Sequence, residues 1–173
     1  SALVNYVSKE LGLDPNPAFS GVIIHEVEVD AEIQKRPSVP INFIKAVQQR
    51  CYQMDDEARW AVALVSDTGL WLSEALGLVK DDVILDGPVP HLMVRSHPWR
   101  RLKTSASARK VPLVGAALWA AQRASALSPS TFLFPRYCSP EGCKGNSASG
   151  ALNKWLKPMM PEGCVIHSFR HSF

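Results

Sequence analysis

The chain has 173 residues, 46% of them hydrophobic, and a net charge of +3, enough to bury one compact core. No apolar run approaches the roughly 20 residues of a membrane helix, and no basic, apolar leader opens the sequence. A cytoplasmic protein with no membrane partner is expected.

The first element in chain order is "ALVNYVSKELGL", with helical spacing at Leu3, Val4, Val7 and Leu11 and Gly12 near its end. Residues 1–13 are read as a helix left over from an upstream domain, since a lone helix cannot be a domain. Proline-bearing stretches around "DPNPAFSG" and Pro37 to Pro40 make 14–40 a linker, with one extended piece at "VIIHEVEV".

From Ile41 the pattern becomes continuous. Ile41, Ile44, Val47, Cys51 and Met54 fall on one helical face. Asp55 or Asp56 can cap a second helix, "EARWAVALVSDTG", which is apolar nearly all round and so should be central. A third helix is expected after Gly69, running through Leu78. Strands are expected at "DVIL", "HLMVR" and "KVPLV", the last two joined by a long basic connection containing "LKTSASAR". Helices follow at "GAALWAAQRASAL", "SGALNKWLKPMM" and "HSFRHSF". The expected fold is mainly helical, with one small three-stranded antiparallel sheet.

Four cysteines, Cys51, Cys138, Cys143 and Cys164, are scattered, and "CSPEGC" matches no common zinc or redox spacing. Reduced thiols and no metal are expected.

The net charge conceals a division. Residues 1–86 hold 14 of the 16 acids and seven of the 19 bases, a balance of −7, whereas residues 87–173 stand at +10. Between Asp86 and Glu141 there is no acid, while Arg95, Arg100, Arg101, Lys103, Arg109 and Lys110 all fall there. Solvated surfaces usually mix signs, so an acid-free basic half points to a polyanion, nucleic acid foremost. In "HSFRH", His167 and Arg170 are three residues apart and share a helix face. That spacing suits a phosphate clamp but also occurs on ordinary surface helices, and His171 either joins them or packs inward. Lys103, flanked by small residues before a strand, is either a solvated charge or, beside a phosphate and arginines, a mobile proton donor.

The order "TGLWLSEALGL", "DDVIL", "KTSASARKVPL", "LF", "HSFRHSF" resembles the catalytic domain of the tyrosine recombinases, the phage integrase family, over about 41–173. In that family the motifs read T-G-L-R-x-S-E-x-L-x-L, K-T followed by V-P-L, and H-x-L-R-H. The resemblance implies site-specific DNA recombination and integration on double-stranded DNA, as carried out for mobile elements. A tyrosine attacks a backbone phosphate to form a 3′-phosphotyrosine link, without metal or other cofactor. Arginines and histidines stabilise the charged transition state. Matched residue by residue, Lys103 is the acid for the departing 5′ oxygen, His167 and Arg170 hold the phosphate, and Glu74 buttresses the first arginine. Arg95, Arg100, Arg101, Arg109 and Lys110 are expected to contact DNA.

Two departures bear on activity. The first arginine of the family falls on Trp71, and Tyr6, Tyr52 and Tyr137 all precede the His167–Arg170 motif. Cleavage by this chain is therefore not expected. A degenerate, non-catalytic DNA-binding protein is the alternative. The parent protein is expected to oligomerise on DNA, and this chain alone to be a monomer.

Overall fold

Asp56 opens the central helix of the domain: its carboxylate accepts the Arg59 N–H at 3.0 Å, satisfying one of the donors a helix start leaves exposed. A computed structural model describes residues 37–102, 104 and 107–172. The expected helix at 1–13, most of the expected linker and Lys103 lie outside the described residues.

Helix α1 spans Ile41–Met54 and α2 spans Glu57–Thr68. Of the apolar face expected on α1, Ile44, Val47 and Cys51 are buried, but Ile41 and Met54 at its two ends are exposed. Burial pushes the Cys51 thiol up to about 12. Helix α2 is covered on nearly every side, from Ala58 through Ser66, as its all-round apolar character requires. Gly69 ends it at φ +60, where a side chain would be strained. Helix α3 covers only Leu72–Leu76, later to start and earlier to stop than the sequence suggests. Trp71 is its extended N-cap, and beyond it the Leu78 carbonyl accepts the Leu133 N–H, which draws the chain out of helical geometry.

The three-stranded antiparallel sheet is present, with β1 (Val83–Ile84), β2 (His91–Val94) and β3 (Arg109–Pro112) in the order β1-β2-β3. Register pairs Leu92 with Val83 on one side and Val111 on the other, and Val94 with Arg109. Alternation along β3 then decides the fate of two neighbouring bases: Arg109 is half-buried on one face, and Lys110 is exposed on the other.

Helix α4 (Gly115–Leu127) packs Ala116, Ala117, Ala120, Ala121 and Ala124 into the core. The small side chains let it lie close to α2. The Asp67 carboxylate on α2 caps it, accepting the Ala116 and Ala117 N–H groups at 2.7 and 3.3 Å. A hairpin of β4 (Cys138–Ser139) and β5 (Gly142–Cys143) follows, then α5 (Gly145–Leu156), which starts earlier than expected. Cys138 and Cys143 are directly opposed in the hairpin and bonded as a disulfide. The expectation of four reduced thiols is corrected there: a five-residue separation looked arbitrary in sequence, and the tight antiparallel turn makes the two cysteines cross-strand partners. The closing segment, Ile166–Ser172, is a 3₁₀ helix rather than an α-helix. Its Ser172 hydroxyl receives the Val39 N–H at 2.9 Å and donates to the Val39 carbonyl. Val39, placed in the linker by sequence, belongs to the core.

Arg100 enters the interior beneath α3 through the space left by Gly77, where an added Cβ would lie 2.5 Å from Arg100 Cδ. Gly77→Ala therefore displaces a buried guanidinium stem, and a loss of about 1–3 kcal/mol is expected from such overpacking. Urea denaturation of the variant checks this; an unchanged midpoint would mean that Arg100 finds another route.

Candidate phosphate-binding site

The site is built outward from Glu74, which is only 6% exposed. Its carboxylate takes a bidentate pair from Arg109, with both N···O distances 2.9 Å. It also accepts the Trp71 N–H at 3.0 Å, closing the start of α3. Burial by itself raises the Glu74 pKa. The Arg109 pair, the Trp71 N–H and the nearby Arg170 charge outweigh it and hold the carboxyl below the ordinary glutamate range. The same pair raises the pKa of Arg109. Sequence matching gave Glu74 the task of supporting a base at position 71. In the folded chain an arginine from β3 supplies that charge.

Above this pair stands Trp71, 44% exposed. Its indole lies 4.5 Å from the His167 ring, centroid to centroid, and the Arg170 guanidinium sits 5.0 Å over it. Such a cation–aromatic contact favours a charged group held over the ring face. A 3₁₀ helix repeats every three residues, so His167 and Arg170 emerge on the same side, one turn apart. His171 follows edge-on to His167 at 5.5 Å. Arg170 Nη1 donates to the Gly69 carbonyl at 2.7 Å, which ties the clamp to the end of α2. A cavity of about 560 Å³ opens here, lined by Trp71, Ser73, Glu74, Arg101, Ser107 and Arg170. It can hold a tetrahedral anion between two guanidinium groups, in the manner of preorganised charge-assisted donors.

The other bases are dispersed. Arg101 lines the cavity. Arg95 Nε pairs with the fully buried Asp82 at 2.6 Å. Lys110 lines a separate depression with Asp86, Val89 and His91. Arg100, expected on the DNA-facing side, is instead 5% exposed and donates to the Glu74 and Arg95 carbonyls. Burial lowers its pKa, against the pull of Asp82 and Glu74. Its run "WRR" gave no hint that one arginine would point in and the next out. Also missed was Asp82, whose second oxygen takes His97 Nε2 at 2.8 Å and the Val79 N–H. Only the adjoining acids of "KDD" mark it in sequence.

A carboxyl whose folded pKa lies below its unfolded value adds stability above the unfolded pKa and loses it as pH falls through the folded one. Stability is therefore expected to decline as pH drops below about 4.3, the ordinary glutamate value. Glu74→Gln should remove that part of the acid dependence and cost about 2 kcal/mol at neutral pH. Urea midpoints at neutral pH and near pH 3 check both, and an unaltered acid profile would place the pair's contribution elsewhere.

No protein-family model matches the chain, and no curated protein matches it. Among solved structures it is similar to the Tn1549 transposon integrase (residues 82–397 of that protein) in complex with transposon right end DNA. That likeness has 20% identity and a TM-score of 0.55, over 84% of this chain and 54% of that one. The same integrase in complex with a circular intermediate DNA matches at 19% identity and a TM-score of 0.57, with the same shares covered. A further such complex matches at 21% and 0.51, over 99% of this chain and 61% of that one. The chain thus spans between half and two thirds of the length of these structures. What it shares with them is the fold, a mainly helical domain carrying a small three-stranded antiparallel sheet.

Proposed function

We propose that this chain is the catalytic-domain part of a tyrosine-type site-specific recombinase, and that it grips double-stranded DNA by a backbone phosphate. The observation that carries this is the meeting of Trp71, Arg101 and Arg170 around one cavity, with His167 packed on the Trp71 ring, from three separate parts of the sequence. Among the described residues Arg170 donates from Nη1 to the Gly69 carbonyl, and its permanent charge and further N–H groups suit phosphate oxygens. His167, packed on the same indole, is assigned as a second phosphate partner. Lys103 is assigned the role of proton donor to a departing oxygen; Leu102 and Ser107, before and after it in sequence, line the same cavity. The fold shared with a DNA-bound integrase supports the same reading. Residues 1–13 are assigned to an upstream core-binding domain and 14–40 to the linker, apart from the core residue Val39. The whole recombinase would assemble on DNA, and this chain alone would be monomeric.

Trp71 favours a second reading, in which DNA is held but not cut. An indole carries no charge for a pentavalent phosphate. Of the described tyrosines, Tyr52 packs edge-on against Trp119 and Tyr137 is buried. On this reading, no covalent adduct forms with a nicked duplex; a phosphotyrosine product on a denaturing gel would return the catalytic reading.

Binding to short duplex DNA should be largely independent of sequence and fall steeply with salt, the slope of log K giving the number of phosphate contacts. Arg101→Glu combined with Arg170→Glu should bring it below detection while the thermal midpoint confirms folding. Fluorescence anisotropy across a salt series reads this, and binding indifferent to both substitutions would refute the cavity as the DNA site. Trp71→Arg should tighten duplex binding roughly tenfold, the contribution of one charge-assisted hydrogen bond. Because the indole is partly exposed, the melting temperature should barely move. A large drop without tighter binding would show that Trp71 serves packing instead.

A further inference from the structure

The Trp71 indole stands between two cavities. The larger is the basic one that holds Arg101 and Arg170. The smaller, about 290 Å³, is lined by Trp71, Ser73, Asn146, Ser149, Ile166 and His167, with no lysine, arginine or acid among its residues. One side of the partition holds two guanidinium groups beside the Arg109-paired Glu74 carboxylate, and the other offers ring faces, an amide and hydroxyls. The Ser149 oxygen, at the edge of this cavity, accepts the Asn153 amide at 3.2 Å.

Pockets for drug-sized ligands run from about 300 to 1,000 Å³, so the smaller cavity suits a single planar ring system. Trp71 remains 44% exposed even with His167 and Arg170 against it. A large aromatic recruited for packing would be covered. Here the uncovered surface faces the two cavities.

We infer that the pair of cavities is a nucleotide subsite in which Trp71 stacks an unpaired base while Arg101 and Arg170 hold its phosphate. The base enters the smaller cavity against the Trp71 and His167 rings, and its edge faces Asn146 and Ser149. This inference rests on the DNA-binding reading above and adds the form of the ligand. In an intact duplex both faces of every base are covered by neighbours, so an indole can take a face only when the base leaves the stack. The preferred ligand is therefore DNA with an extruded or unpaired base. The tryptophan at position 71 exchanges one contact to the phosphate for recognition of the base next to it.

The test uses the 173-residue chain and two DNAs: a paired duplex, and the same duplex with one unpaired 2-aminopurine. The chain is expected to bind the second about tenfold more tightly, the contribution of one stacked base, and to quench the 2-aminopurine emission. Trp71→Ala should abolish both the preference and the quenching. Trp71→Phe, which keeps a ring and the fold, should retain part of each. Equal affinity for the two DNAs, or quenching that survives Trp71→Ala, overturns the stacking subsite and leaves salt-dependent duplex binding standing. Failure to bind either DNA at low salt overturns the subsite and the DNA-binding reading together.

Discussion

The Glu74 carboxylate is the constraint on which the rest of the site depends. A buried carboxylate is tolerated only when its charge is met, and three donors meet this one: two from Arg109 and the N–H of Trp71. Helix α3 has five residues, too few to persist by itself. It is held from the sheet side by Arg109 on its carboxylate and from below by Arg100 on the Glu74 carbonyl. With α3 held, Trp71 has one place to stand. The walls of the cavity follow, because Ser73 and Glu74 come from α3, and Ser107, whose carbonyl accepts Arg109 Nη1, from the approach to β3.

The charge asymmetry of the chain acquires a second meaning in three dimensions. Asp82 with Arg95, Glu74 with Arg109, and Asp55 with Arg123 each join an acid of the first half to a base of the second. Part of the charge segregated along the sequence is thus matched across the halves in the folded chain. Among the described residues, those left toward the cavity are Arg101 and Arg170, a narrower basic face than the balance of +10 suggests.

With Trp71 at the start of α3, the carboxylate is satisfied and the cavity has an aromatic wall. The indole accepts the Arg170 charge over its face and the His167 ring beside it. The cluster thus presents ring faces beside the guanidinium groups.

The succession of apolar faces in α1, α2 and α4 and the alternation in the strands were legible in the sequence, because burial periodicity is a local property. So was the recurrence of His167 and Arg170 on one side, which holds for a 3₁₀ helix as for an α-helix. The stop of α3, the pairing of Cys138 with Cys143 and the inward turn of Arg100 were not. Each depends on a partner remote in sequence or on a tight turn: the Leu133 N–H on the Leu78 carbonyl, the β4–β5 hairpin, and the gap at Gly77. Residue type determined that Glu74 would need a cation. Only the tertiary structure decided that the cation is Arg109, because a buried charge takes whichever guanidinium the packing of helix against sheet brings within hydrogen-bond reach.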